Sequence, residues 1–110
     1  MLNSFVIFDT KPLGVELSAL GIRMAWACHE KGFDVKLVFS EEGVWCATQK
    51  SGYHAAMIQK LLDADAPLYC RKKCLELRGI DEKDIIEGIE IIEEDEITDL
   101  CLDAETINHF

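Results

Sequence analysis

The segments SFVIFD at positions 4–9 and FDVKLVF at positions 33–39 decide the fold. Both are short, apolar and rich in β-branched and aromatic residues, which is typical of buried strands. Between them, residues 15–31 place apolar side chains at a helical period, and Gly32 ends the pattern. A strand, a helix and a second strand in this order predict a βαβ unit with parallel strands.

The rest of the chain continues the alternation of strands and helices. Helices are predicted over residues 53–63, 71–78 and 93–102, strands over residues 67–70, 88–92 and 106–110, and a loop over residues 40–52. This order predicts an α/β fold, a three-layer αβα arrangement with a mainly parallel, flavodoxin-like sheet. With 110 residues in total, we expect residues 1–110 to form a single domain.

The charge of the chain is concentrated in its last third. Residues 81–110 carry twelve acidic residues and one basic residue, whereas the first 80 residues carry nine and ten. Nucleic-acid binding is disfavoured, because such an acidic surface repels the phosphate backbone of a nucleic acid. The acidic stretch is interpreted as a solvated helix face and loop, with a docking surface for a basic partner as the alternative.

Sequence patterns also exclude several classes of protein. Apolar runs are too short for a transmembrane helix, and the first residues lack the basic and apolar regions of a signal peptide, so no membrane association and a cytoplasmic location are expected. The glycine motifs that bind dinucleotides and nucleotide triphosphates are absent, as is the nucleophile motif of α/β-hydrolases. Five cysteines, an odd number in a reducing compartment, argue against a disulfide framework.

The first candidate site is the segment CRKKC at positions 70–74. Cys70 is predicted at the point where a strand passes into a helix, and three cations follow it, Arg71, Lys72 and Lys73. The helix N-terminus and these cations both favour a thiolate, which is the nucleophilic form of cysteine. Cys74 follows one helical turn later. The alternative interpretation makes Cys74 a small core residue and Cys70 a filler at the end of the strand.

Further candidates lie at the same predicted edge of the sheet. Cys46 follows the second strand and is placed to face Cys70, with Trp45 beside it as a shield from water or, with Val44, as a hydrophobic plug or subunit contact. Asp9 ends the first strand, where it is interpreted as a functional carboxylate or as a cap of the next turn. No pair of these cysteines has the spacing of common zinc ligands, so no metal is expected.

Two segments of the chain resemble a known family. These are Gly43-Val44-Trp45 after the second strand and CLELRGI at positions 74–80, and both are similar to segments of the DsrE/DsrF-like family of small sulfur-relay proteins (DsrE/DsrF/DsrH, TusBCD-type). The resemblance implies an α/β fold with a parallel sheet, homo- or hetero-oligomers that are often trimers or hexamers, and transfer of persulfide sulfur through a cysteine.

The resemblance also implies roles for individual residues. Cys74 aligns with the second cysteine of the family's C-x-x-C-L-x-x-R-G motif, and Arg78 and Gly79 align with its Arg-Gly pair. The first cysteine of the motif falls on Arg71, with Cys70 one position earlier. Either Cys70 takes the role by a shift of one residue, or Cys74 carries it, or the transfer activity is lost, as in family members that serve as structural partners.

The leading hypothesis is a sulfur-relay protein, a sulfurtransferase or sulfur carrier, that accepts and passes persulfide sulfur at Cys70 or Cys74 by thiol–persulfide exchange. It needs no cofactor, and its expected partners are sulfur donor and acceptor proteins and further copies of the chain. The first alternative is a non-catalytic structural subunit of an oligomer. A small-ligand binding module that uses the carboxyl edge of the sheet is the second.

Overall fold

The computed structural model describes residues 4–12, 15–48 and 52–110. These residues alternate strands and helices in the order β1 Ser4–Asp9, α1 Glu16–Glu30, β2 Asp34–Phe39, α2 Tyr53–Asp63, β3 Leu68–Arg71, α3 Lys72–Leu77, β4 Glu90–Ile92, α4 Glu94–Asp103 and β5 Thr106–His109. Two 3₁₀ helices, Glu41–Thr48 and Glu82–Asp84, lie between them. In the described ranges no helix is both long enough and apolar enough to cross a bilayer.

The strands form one parallel sheet in the order β4-β3-β2-β1-β5. The chain builds outward from β1 through β2 and β3 to β4, and α4 then carries it back to the other side of β1. The predicted α/β class with a flavodoxin-like parallel sheet is therefore confirmed.

Helix α1 shows how the sequence produces this packing. Its buried residues are Ser18, Gly21, Ile22 and Ala25, which share one face of a helix because they recur at intervals of three and four. Gly32, with a φ of +84°, ends the helix as predicted. Its N–H donates to the His29 carbonyl and the next N–H to the Cys28 carbonyl, which is the hydrogen-bond pattern of a Schellman motif.

Helices cover the two faces of the sheet unequally. Helices α1, α2 and α3 and the first 3₁₀ helix contribute to the larger apolar cluster on one face. Helix α4 covers the other face, where Ile97 packs with Val6, Phe8, Val38 and Ile92.

The segment predicted as a loop after β2 is largely a 3₁₀ helix, so that prediction is wrong for residues Glu41–Thr48. The segment lacks a helical period of apolar residues, but tertiary contacts hold it. Val44, Cys46 and Ala47 are buried, and the Ala47 carbonyl accepts a hydrogen bond from the Ile86 N–H at 2.9 Å. Packing against the sheet therefore orders a segment whose sequence favours a loop.

Candidate functional site

The carboxyl ends of β1, β2 and β3 meet at one edge of the sheet, as the sequence predicts for parallel strands. In the strand register, Asp9 lies beside Phe39, and Phe39 lies beside Cys70. Ser40 directly follows β2, and its N–H donates to the Asp9 carbonyl at 3.0 Å. The polar residues that end these strands are therefore neighbours in the folded chain.

Cys74 lies in the first turn of α3, and its sulfur contacts polar groups at this edge. The backbone N–H of Glu41 donates to Cys74 Sγ at 3.2 Å, and Ser40 Oγ lies 3.9 Å from the same sulfur. The side chain is 4% exposed. Hydrogen-bond donors directed at a sulfur favour its anionic form, because the thiolate accepts hydrogen bonds more strongly than the thiol.

The backbone at Glu41 is unusual. Its φ is +51°, in the left-handed region that residues other than glycine rarely adopt. Such conformations cost on the order of 1 kcal/mol or more and cluster at functional sites. The residue whose N–H reaches the Cys74 sulfur is therefore held in a strained conformation.

Arg71, the last residue of β3, connects this sulfur site to α4. Its Nη1 donates to Ser40 Oγ at 3.1 Å, its Nε donates to Glu94 at 2.7 Å, and its Nη2 forms a second contact with the Glu94 carboxylate. The hydrogen bond to Glu94 raises the pKa of Arg71, and electrostatic interactions with Glu94, Cys74 and Glu41 raise it further, while partial burial opposes the rise. The Arg71 guanidinium is therefore close enough to Cys74 to interact with it electrostatically.

Cys70 lies in a different environment from the one predicted. It is 0% exposed within the apolar core, and burial, with a smaller contribution from Cys74, raises the pKa of its thiol to about 12. The expectation of a thiolate at Cys70 is wrong because alternation along β3 turns Leu68 and Cys70 toward the helix layer, while Tyr69 and Arg71 point to the opposite face. Cys70 is protonated at neutral pH.

Lys72 and Lys73 lie in the first turn of α3 rather than around a thiolate at Cys70. They line a cavity of about 440 Å³ between α3 and α4, together with the carboxylates of Glu76, Glu93, Glu94 and Asp95. The sequence did not predict that these cations would lie near the carboxylates of α4, because no local sequence pattern indicates how α4 packs against α3.

A second group of polar residues surrounds Cys46. The sulfur lies 3.8 Å from the Lys11 carbonyl. Burial, with a smaller electrostatic contribution from Asp9, raises the pKa of Cys46 to about 12, and a hydrogen bond with Ser18 partly offsets the rise. Ser18 Oγ donates to the Val15 carbonyl and lies 2.9 Å from His54 Nε2. The polar contacts described for Cys46 are with this group, and Cys46 and Cys70 both belong to the larger apolar cluster.

Asp9 is 0% exposed, and its carboxyl oxygens make no hydrogen bond of good geometry to the described residues. Burial raises its pKa from 3.8 to about 8, although the Lys11 backbone N–H opposes part of the rise. The carboxyl group is therefore largely protonated at neutral pH, and its roles as a functional carboxylate or as a cap of the next turn stay predictions. No group of three or more His, Cys, Asp or Glu side chains in the described ranges is arranged to hold a metal ion.

Comparison with models of protein families identifies the family of this chain. The family model described as the DsrE/DsrF-like family matches residues 3–110 of the chain. The chain belongs to the DsrE/DsrF-like family. The resemblance inferred from Gly43–Trp45 and residues 74–80 is thereby confirmed.

Solved structures and a curated relative agree with this membership. The crystal structure of the ychN protein from E. coli is 26% identical with a TM-score of 0.88, covering 99% of this chain and 100% of that chain. MTH1491 from Methanobacterium thermoautotrophicum, a protein of unknown function, is 15% identical with a TM-score of 0.78 over 96% and 99% of the two chains, a likeness of fold. The uncharacterized protein MK0008 of Methanopyrus kandleri is 24% identical over 91 residues, 78% of this chain and 75% of that protein.

The segment that resembles the DsrE/DsrF-like motif has a structural basis in this chain. Arg78 Nη1 donates to the Cys74 carbonyl at 3.1 Å, and Arg78 pairs with Glu42 at 2.8 Å. Gly79, with a φ of +65°, lets the chain leave α3. The Arg-Gly pair therefore joins the end of α3 to the 3₁₀ helix that supplies the Glu41 N–H.

Three groups of this site were missed by sequence reasoning. Ser40 carried a usable signal, since it is a polar residue directly after a buried strand, the same criterion that selected Asp9. Glu41 acts through its backbone, which no side-chain pattern reveals. Glu94 lies 23 positions from Arg71 in the sequence, and an ion pair at that distance depends on how α4 packs.

Proposed function

We propose that this protein is a sulfur carrier that accepts and passes sulfane sulfur on Cys74. Membership of the DsrE/DsrF-like family is consistent with a sulfur-relay role. The single observation that supports Cys74 is the hydrogen bond from the Glu41 backbone N–H to its sulfur at 3.2 Å. Burial raises the pKa of Cys70 and of Cys46 to about 12, which disfavours a thiolate at either position.

The proposed reaction is two successive thiol–persulfide exchanges. The Cys74 thiolate attacks the outer sulfur of a donor persulfide, R–S–SH, so that a new sulfur–sulfur bond forms, the donor bond breaks and R–S⁻ leaves. The thiolate of an acceptor then attacks the outer sulfur of the Cys74 persulfide and releases the Cys74 thiolate. No net oxidation occurs, since one sulfur–sulfur bond replaces another at each exchange.

The test is to incubate the protein with cysteine persulfide and to map the added mass by peptide mass spectrometry. We expect one sulfur atom on Cys74, and we expect Cys74→Ser to abolish the addition. Cys70→Ser is the matched control, because it removes a neighbouring buried thiol, and it should still accept sulfur. Sulfur on Cys46 or Cys70 instead, or on no cysteine, contradicts the proposal.

A second candidate function is a structural subunit of an assembly, which the exposed apolar residues favour. Val15, Leu17, Trp45 and Tyr53 are between 37% and 54% exposed. Trp45 lies in the 3₁₀ helix that follows β2, and the other three lie at the N-terminal ends of α1 and α2. Val44, which was predicted to share this contact with Trp45, is 0% exposed and belongs to the core. Under this function alone, iodoacetamide at neutral pH labels Cys74 no faster than free cysteine.

The proposed partners follow from these two functions. We propose sulfur donor and acceptor proteins that reach Cys74, and self-assembly into a trimer or hexamer through the exposed apolar residues. A cytoplasmic location is part of the same proposal, since persulfide exchange needs reduced thiols. The small-ligand alternative is supported by a cavity of about 340 Å³ beside Ser40 and Arg71, and native mass spectrometry of the purified protein tests it.

A further inference from the structure

We propose that Ser40 is the side-chain hydrogen-bond donor to the Cys74 sulfur, and that Arg71 is a positioning residue that orients the Ser40 hydroxyl for this role. The inference rests on the proposed function of Cys74. It concerns how the thiolate is held, so it is tested by thiol ionisation rather than by sulfur transfer.

The direction of the hydrogen bonds follows from the chemistry of the groups. A hydroxyl group has one proton to donate and two lone pairs that accept. Arg71 Nη1, which can only donate, lies 3.1 Å from Ser40 Oγ, so the Ser40 oxygen accepts there. The hydroxyl proton is then available for Cys74 Sγ at 3.9 Å.

The position of Ser40 is fixed by its own backbone. Its N–H donates to the Asp9 carbonyl at 3.0 Å, and its carbonyl accepts from the Gly43 N–H at 2.9 Å. The residue is 1% exposed, so little of its surface is open to bulk water. Two backbone hydrogen bonds therefore fix the position from which Ser40 presents its side chain to Cys74.

Arg71 is itself held by α4. Nε and Nη2 of its guanidinium both bond to the Glu94 carboxylate, which leaves Nη1 directed at Ser40. The Glu94 carboxylate offsets much of the positive charge of Arg71. The direct electrostatic effect of Arg71 on the Cys74 sulfur is therefore reduced, and its effect through the orientation of Ser40 becomes relatively larger. The other charged groups near Cys74 are Glu41 and Arg78, which bonds to the Cys74 carbonyl, and Cys70 is the neighbouring thiol.

The first experiment measures the rate of iodoacetamide labelling of Cys74 against pH, read by peptide mass spectrometry. In Ser40→Ala we expect the midpoint of the profile to rise by about 0.5–1 pH unit, with labelling at pH 7 about three- to tenfold slower, because the thiolate loses one donor. Ser40→Thr keeps the hydroxyl group and should stay close to wild type.

Ser18→Ala is the matched control. Ser18 is also buried and hydrogen-bonded, but its contacts are with Val15 and His54 and belong to the Cys46 group. It should leave the Cys74 profile unchanged. The proposal is overturned if the Ser40→Ala profile coincides with that of wild type, or if Ser18→Ala shifts the profile equally.

The second experiment separates Arg71 acting through Ser40 from Arg71 acting directly. Arg71→Gln should also raise the midpoint, and the double variant with Ser40→Ala should shift it by less than the sum of the single shifts. Additive shifts contradict the positioning role. If Ser40→Ala fails to fold, Arg71→Gln alone still tests the proposal. An Arg71→Gln labelling profile with the same midpoint as that of wild type overturns it.

The two proposals can fail separately. If Cys74 accepts no sulfur but the Ser40→Ala profile shifts, the hydrogen-bond donor is supported and the sulfur carrier is not. If Cys74 accepts sulfur and the profile does not shift, the sulfur carrier is supported and the role of Ser40 is wrong.

Discussion

Cys70 and Cys74 are four positions apart in the sequence and both are buried in the larger apolar cluster, yet the two sulfurs differ in the polar groups that they contact. Cys70 faces apolar side chains, and burial raises its pKa to about 12. The Cys74 sulfur lies against the Glu41 N–H and the Ser40 hydroxyl group. Whether a cysteine in this segment can act as a nucleophile is therefore decided by which polar groups surround the sulfur and not by the cations next to it in the sequence.

The residue-scale prediction concerns Asp9. Because its pKa is about 8 in the folded chain and 3.8 is its ordinary value, the unfolded chain releases the proton first as the pH rises. The native state therefore loses stability between about pH 4 and pH 8. Asp9→Asn should remove this loss and raise the free energy of unfolding by on the order of a few kcal/mol at pH 8, and by less at pH 5.

Urea unfolding of wild type and Asp9→Asn at pH 5 and pH 8 measures this difference. The matched control is Asp95→Asn, an exposed aspartate in α4, which should change the free energy of unfolding by less than about 0.5 kcal/mol at either pH. An Asp9→Asn protein that is less stable than wild type at pH 8 would show that the carboxylate is solvated or paired in solution.

At the scale of elements, Gly43 explains why the first 3₁₀ helix packs closely against β1. A Cβ atom at this position would lie 1.8 Å from the Asp9 carbonyl oxygen, which is a backbone atom held by the Ser40 N–H. Gly43→Ala should therefore displace the 3₁₀ helix and lower the free energy of unfolding by about 2–3 kcal/mol or more.

Gly79→Ala is the comparison for Gly43→Ala. Gly79 has open space around its Cα and a φ of +65°, so alanine there meets only backbone strain of about 1–2 kcal/mol. Chemical denaturation of both variants ranks the two costs. If Gly43→Ala proves the milder substitution, the 3₁₀ helix does not approach β1 this closely.

Helix α4 gives a further prediction at this scale, because it covers one face of the sheet. Ile97 is its buried residue and packs in the smaller apolar cluster. Ile97→Ala should cost about 2–4 kcal/mol of unfolding free energy. Leu102→Ala, on the same helix but 77% exposed, should change it by less than about 0.5 kcal/mol. Equal costs in urea titrations would mean that α4 does not cover the sheet in this way.

The spacing of apolar residues predicted the helices and strands well, because buried side chains recur at the helical period in the helices and alternate in the strands. Helix α2 was predicted over residues 53–63 and is found there, and the other ends lie within two residues of their predicted positions. The 3₁₀ helix was not predicted because Gly43 and Ala47 are held by contacts with β1 and with Ile86, which no local pattern records. Similarly, the side chain of Cys70 lies on the same face of β3 as that of Leu68, because side chains alternate along a strand. This predicts burial of Cys70 only after the buried face of β3 is known.

At the scale of the whole molecule, the arrangement of layers leaves apolar side chains exposed on both sides. Trp45 and Leu17 lie at the carboxyl edge on the layer that holds α1, α2 and α3, and Leu102 lies on α4. The chain has a formal net charge of −10, most of it from residues 81–110, and this acidic stretch contains α4. Like charge disfavours contact between two α4 surfaces, so self-association is expected to use the Trp45 side.

A carboxylate introduced on the Trp45 side and one introduced on α4 should therefore have different effects on self-association. Trp45→Glu should convert the oligomer proposed for the wild type to a smaller species in gel filtration with light scattering, because a carboxylate in an apolar interface loses its hydration without gaining a partner. Leu102→Glu makes the same kind of change on α4 and should leave the assembly intact. A monomeric wild type over a wide concentration range excludes the interface altogether, whereas dissociation by Leu102→Glu alone would move it to α4, where the acidic residues would then need a neutralising partner.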